Sequence, residues 1–341
     1  METLWFTLVA TMIALYVVLD GFDLGAGVIH LFVARNEAER RTVLASIGPV
    51  WDGNEVWLIA GGGTLYFAFP ALYSSSFSGF YLPLMMVLWL LILRGIAIEF
   101  RNHLQSLVWQ PLWDTVFAAA SGLLAIFFGA ALGNVVRGVP LDRSGEFFLP
   151  LWTNFAAGKE SGILDWYTLL VAVAALFALT AHGALWVALK TEGEVHYRAR
   201  AAALRVWWGV AASVVIITLA SFHIQPHLKE SFAERPWGYV FPLLALVGLI
   251  GMRLLDGRRQ GLEAFLCSCL FLLAMLVSVA FGLYPYVLPS NGDPAFSLTI
   301  ANSAAAPYGL RVGLYWFIPG ILLAATYFVY TYRSFKGKVI L

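Results

Sequence analysis

Apolar residues in this chain gather into runs of about 20, and at about 1.5 Å per residue such a run crosses a hydrocarbon layer of about 30 Å. Short polar stretches separate them, as in METLWFTLVATMIALYVVLD and FLCSCLFLLAML. Of 341 residues, 60% are apolar and 12% charged, against about 25% charged in soluble domains. One soluble core cannot hide that much apolar surface. The expected fold is all-α and polytopic within a membrane, which excludes soluble enzyme folds, coiled coils and disordered scaffolds. With 21 Lys and Arg against 20 Asp and Glu, the net charge is +1, and there is no basic tail for nucleic acid.

Hydropathy predicts nine transmembrane helices, near residues 4–33, 50–72, 79–99, 113–136, 164–189, 204–225, 237–255, 262–288 and 311–333. Trp5, Tyr73, Trp113, Trp166, Trp237 and Tyr332 mark span ends, as interfacial belts require. The N-terminus lacks a basic n-region and a cleavage site, so it reads as a retained first span. With the N-terminus outside, fourteen Lys and Arg fall in inner segments and six in outer ones, which predicts N-out, C-in. The inner set runs from Arg35 to Lys338 and includes Arg258 and Arg259.

The expected organisation is a first four-helix bundle over 1–136, a long outer loop over 137–163, a second four-helix bundle over 164–288, and an outer loop with a peripheral final helix over 289–341. A weak repeat supports it: the first span runs into a charged inner loop through DGFDLGAGVIHLFVARNEAERR, and the fifth does so through TAHGALWVALKTEGEVHYRAR.

Ionisable residues within a bilayer cost about 2.5–3.5 kcal/mol each, so each calls for a partner or a role. In the first span Tyr16, Asp20, Asp23, Gly27 and His30 fall at offsets 0, 4, 7, 11 and 14, one helix face about 21 Å long. Two readings stand: capping of backbone distortion around Gly21, Gly25 and Gly27, or a hydrated proton relay. The second span opens SIGPVWDGNEVWLIAGGG, where Pro49 suits a first turn and the helix dipole favours Asp52 and Glu55. A helix start accounts for one acid, not for two acids with Asn54, Trp51 and Trp57, so function is favoured there. Gly53, Gly61, Gly62 and Gly63 let another backbone or a flat ligand come close.

The third span carries Arg94 among apolar residues and Glu99 near its inner end. A buried guanidinium seeks a carboxylate or a propionate-like anion, and Asp52 or Asp23 is the expected partner. Asp52, Glu55, Arg94, Glu99 and His30 map to the inner half, with Asp20 and Asp23 deeper: an inlet for protons or cations from inside.

Six histidines are present, and only His182 sits well inside a span, where a hydrogen-bonded packing role is expected. Cys267 and Cys269 point about 200° apart on a helix, which suits lipid contact or packing and no shared metal. P-loop, HExxH and Cys/His-cluster patterns are absent from the sequence, so no metal site is expected in this chain. A proton-coupled secondary transporter with helices broken at Gly-rich positions is the alternative reading.

The segments DGFDLGAG, ARNEAERR, SIGPVWDGNEVWLIAGGG, FSGFY, LRGIAIEFR and SLTIANSAAAPYGL occur in this order along nearly the whole chain. Together they resemble subunit II of the cytochrome bd-type quinol oxidases. The resemblance implies a respiratory complex of the bacterial cytoplasmic membrane that oxidises quinol and reduces O2 to water with cytoplasmic protons. It implies a heterodimer in which subunit I carries the quinol-oxidising loop, haem b and haem d (or haem b in its place), while this chain stabilises it without ligating haem iron.

By position, Asp52 and Glu99 match acids of the family's proton pathway, and Trp51 and Arg94 match haem-proximal residues, with Asn54 between. Asp20, Asp23 and Glu55 join the pathway from the reading of the spans. A structural quinone, a small single-helix accessory subunit and lipid are further components that the resemblance admits.

Overall fold

The computed structural model describes residues 1–258 and 260–339, so Arg259, counted above among the inner charges, lies outside the described residues. Lipid offers no hydrogen bonds, so a spanning backbone satisfies itself within helices. The chain accordingly folds as α1 (Glu2–Val33), α2 (Glu37–Ile47), α3 (Trp51–Ala68), α4 (Pro70–Gly79), α5 (Tyr81–Phe100), α6 (Trp109–Arg137) and α7 (Trp166–Lys190). It continues through α8 (Gly193–Ile224), α9 (His227–Glu234), a 3₁₀ turn at Pro236–Tyr239, α10 (Val240–Gly257) and α11 (Gly261–Leu283). A hairpin of β1 (Tyr286–Leu288) and β2 (Leu298–Thr299) then leads through α12 (Ile300–Ser303) to α13 (Pro307–Ser334).

Among the described residues eight helices are long and apolar enough to span, where nine were expected. The difference is the second span. Its first helix, α3, opens with Asp52, Asn54 and Glu55, and Phe69–Pro70 breaks it from α4; the proline ring cannot continue a helix from the preceding residue. The other eight expected helices are present with ends shifted by up to five residues, except that α8 begins at Gly193 and not near 204, adding about three polar turns.

Alternate ends of the spans share one face of the molecule, which carries α2; the opposite face carries the hairpin and α9. The loop expected between the first two spans is in part the helix α2. Its N-cap Asn36 accepts from Glu39 N, and Glu39 accepts from Arg35 N, a reciprocal cap that starts a helix in a very polar segment.

Helices α1 and α7 form the centre. They cross where Gly25 lies against Gly183, so close that a Cβ on either would overlap the other's backbone. Gly129 against Ala172 and Ala175, and Gly248 against the α11 backbone, repeat this device at other crossings, as expected where close approach replaces hydrophobic driving force. Around α1 pack α3, α6, α7 and α11. By contrast α13 lies outside, with none of its most apolar window buried.

Candidate functional site

Three fully buried ionisable side chains on α1, Asp20, Asp23 and His30, organise the polar interior. The face spacing seen in the sequence carries them towards different neighbours. Asp20 meets α5: Arg94 Nη1 and Nη2 donate to its two oxygens at 2.9 and 2.7 Å, a forked pair with both side chains 0% exposed. The same Nη2 donates to Glu55 on α3 at 3.0 Å. Glu55 is 22% exposed and is the opening of this pair towards the surface. Arg94 therefore pairs with Asp20 and Glu55, and not with Asp52 or Asp23. Rotation of α3 decides this: Asp52 lies on its exposed side, and Asn54 and Glu55 turn inward.

Asp23, one turn along α1, is held by an amide. Asn54 Nδ2 donates to Asp23 Oδ2 at 2.8 Å and to Leu19 O at 3.2 Å, while Tyr332 of α13 donates to Asn54 Oδ1 at 2.9 Å. Asn54 thus ties three helices together at one point. Tyr16 OH, Asp23 Oδ1 and Arg94 Nε are buried without a hydrogen-bond partner among the described residues.

The remaining predicted residues are superficial. Asp52 and Glu99 are exposed on the chain surface near the α2 face, and Trp51 is half-buried, its ring 3.6 Å from where a Cβ on Gly95 would stand. Gly62 and Gly63 have open space beside them. Next to them an apolar groove of about 510 Å³ runs between α1, α3 and α13, lined by Trp5, Trp57, Phe67, Trp316 and Phe317.

Sequence reasoning missed a second polar cluster on the α2 face. Its centre is Asp114, the sixth residue of the 29-residue α6, and it is 1% exposed. His30 Nε2 lies 2.6 Å from Asp114 Oδ1, Arg101 donates to both oxygens at 2.6 and 3.1 Å, and Arg40 donates at 3.3 Å. Arg101 also forks onto Glu37 of α2 at 3.1 and 2.7 Å, and that hydrogen bond holds the Glu37 carboxyl below its ordinary range. The signal was there: Asp114 is an acid close to a span end whose arginine neighbours had been counted only as loop charge.

On the hairpin face Arg137 pairs with Asp165 and donates to Asn134 Oδ1 at 2.8 Å and Gly162 O at 2.9 Å, while Asp165 caps α7. His182 has Nδ1 2.7 Å from Ser268 Oγ and Nε2 2.9 Å from Val18 O, and it stacks on Phe265, the packing role expected of it. Among the described residues no three His, Cys, Asp or Glu converge as metal ligands.

Comparison with known proteins bears on this interior. A profile of the family described as cytochrome bd terminal oxidase subunit II matches residues 1–335. The chain is 30% identical to a probable cytochrome oxidase subunit 2 of Haemophilus influenzae, over 98% of this chain and 94% of that one. It is 28% identical to the cytochrome bd-I ubiquinol oxidase subunit 2 of Escherichia coli K12, with the same coverage. It is 31% identical to the cytochrome bd ubiquinol oxidase subunit 2 of Bacillus subtilis, over 92% and 89%. In fold it is similar to a chain of the bd oxidase from Geobacillus thermodenitrificans, with a TM-score of 0.75 over 98% of each and 17% identity.

Proposed function

The chain belongs to the family of cytochrome bd terminal oxidase subunit II, and from that premise we propose that it stabilises the haem-bearing subunit I and leads protons from the cytoplasm towards the site of O2 reduction. It is a multi-pass protein of the bacterial inner membrane and a member of a respiratory quinol oxidase complex that carries haem and pairs it with a subunit I. The transporter alternative has no support once the family is known.

The observation that carries the proton inlet is the graded exposure of four carboxyl groups. Asp52 and Glu99 stand on the chain surface, Glu55 one turn inside Asp52 is partly open, and Asp20 is closed, with Arg94 joining the last two. Protons collected at Glu99 or Asp52 pass to Glu55 and then to the Asp20–Arg94 pair, and subunit I supplies the other wall. Thirteen described Lys and Arg on the α2 face support its assignment to the cytoplasm, with the N-terminus outside.

The haems fit subunit I better than this chain. His182, deep in a span, has both ring nitrogens engaged. No step of the inlet is drawn through haem in this chain. Arg94, which the resemblance placed by haem propionates, is enclosed by its own acids; its role in this reading is to neutralise Asp20 and Glu55. Residues 1–136 and 164–288 form two related bundles in this reading. In its favour, the α1–α7 crossing glycines stand 8 and 7 residues before the ends of their helices.

The test is Asp52→Asn in the purified complex. Quinol-driven O2 consumption falls, while subunit content and haem absorption stay at the parent level. A fully active, fully assembled Asp52→Asn complex would sink the inlet.

A further inference from the structure

We propose that His30, oriented by Asp114, is a proton-loading group at the α2 face for a relay running inside this chain, along α1, to Asp23 and the Asp20–Arg94 pair. This rests on the proton-inlet reading above but gives it a second, internal source, separate from the surface acids Asp52 and Glu99.

The argument starts from Asp114. Its oxygens already accept from Arg101 and Arg40; a carboxylate so flanked accepts only, so the His30 contact at 2.6 Å is Nε2–H donating to it. That fixes the tautomer of a neutral ring and leaves Nδ1 as the basic nitrogen. His30 is 0% exposed, and its Nδ1 has no partner among the described residues. A buried imidazole with one nitrogen anchored on a carboxylate and the other free is the arrangement that takes up a proton, the imidazolium being stabilised by the acid behind it.

The path inward is drawn by further buried polar atoms that lack partners. They are Ser121 Oγ, Asp23 Oδ1 and Tyr16 OH. All lie along the α1 face defined by His30, Gly27, Asp23, Asp20 and Tyr16. At Gly27 this face has no side chain of its own, and Ser121 of α6 fills the place: a Cβ on Gly27 would overlap its hydroxyl. The rise of the helix spaces the levels at about 4.5–6 Å, a gap that one water bridges with hydrogen bonds to both sides. One lone orphan would be a packing defect. Four along one stripe, three leading from His30 to Asp23 beside the forked Asp20–Arg94 pair and Tyr16 beyond it, describe a conduit.

The step balances without any other reagent. A proton binds His30 Nδ1 to give the imidazolium, and Nδ1 then returns it through water past Ser121 to Asp23 Oδ1. Nε2–H stays on Asp114 throughout. The groups facing His30 are Asp114 and Phe117 of α6, with Arg40 and Glu37 of α2 and Arg101 behind Asp114.

His30→Gln and Ser121→Ala in the intact complex test this, with turnover, haem content and proton uptake after a single pulse of O2 measured across pH 6–9. His30→Gln should slow proton uptake at least about tenfold at every pH measured, with haem content unchanged. Ser121→Ala, which deletes only a hydroxyl, should slow uptake by a few fold. Parent-like uptake in an assembled His30→Gln complex overturns the relay. If that variant does not assemble, parent-like uptake in Ser121→Ala overturns it. Slow His30→Gln beside normal Asp52→Asn keeps the relay and sinks the surface inlet; the opposite pair of results sinks the relay alone.

Discussion

Replacing Asp20 by Asn gives the sharpest check on the buried ion pair. Asp20 accepts two of the three hydrogen bonds that Arg94 makes to acids, at 2.7 and 2.9 Å, and both side chains are fully enclosed. An amide keeps the shape but loses the charge and sets an NH2 group against a guanidinium. Glu55, partly exposed, remains as a single weaker counter-charge.

Removing one member of a buried pair costs about 3–5 kcal/mol, because the other charge is left uncompensated. At about 2 °C per kcal/mol for a large domain, the purified complex should lose haem absorption and release this chain about 6 °C or more below the parent, compared at one heating rate since such unfolding is irreversible. Adding Arg94→Gln should restore most of the lost stability without restoring turnover, because the second change removes the orphaned cation but not the need for a titratable group. An Asp20→Asn complex with parent-like melting and parent-like turnover would refute the reasoning about both stability and conduction.

Two further outcomes follow from other parts of the fold. Gly183→Leu forces a side chain into the α1 backbone at the central crossing; overpacking of this kind costs about 1–3 kcal/mol or more, and the yield of assembled complex should fall sharply, whereas Gly62→Ala, which meets open space, should leave it unchanged. Glu37, whose carboxyl is held low by the Arg101 hydrogen bond, stabilises the α2 face while ionised. That contribution is whole above its unfolded pKa of about 4.3 and disappears as pH falls through the lower folded value. The melting difference between the parent and Glu37→Gln should therefore be constant from pH 8 to pH 6 and shrink below about pH 4.3; a difference that grows on acidification would contradict the assignment.

How far the sequence disclosed this protein depended on the range of the interaction involved. Run length and loop charge are local properties, and they gave the spans and their alternation, save that the proline after Phe69 divides the second one. The stripe on α1 was equally legible, since helical period alone puts Asp20, Asp23 and His30 on one face. Partner choice was not. Arg94 was expected on Asp52 or Asp23 and sits on Asp20 and Glu55, because the rotation of α3 and α5 about their axes is set by packing against α1 and not by hydropathy. Asp114 escaped notice for a related reason. Its meaning depends on His30, 84 residues away, and on arginines that a charge count treats as soluble. The helix α2 was within reach, since Asn36 and Glu39 form a start signal that a reading focused on apolar runs passed over.

The placement of α13 bears on how the molecule is made. Hydrogen bonds join it to the rest near its ends, through Trp5 Nε1 donating to Leu310 O on one side and Tyr332 on Asn54 and Lys190 on Phe335 O at the other. A ribosome delivers this helix after α1 and α3, so Asn54 Oδ1 waits in the bilayer, short of one donor, until α13 arrives. Closure of the polar interior thus depends on synthesis reaching α13: chains stalled before residue 307 keep the Asn54 link between α3 and α1 but lack the tyrosine that braces it.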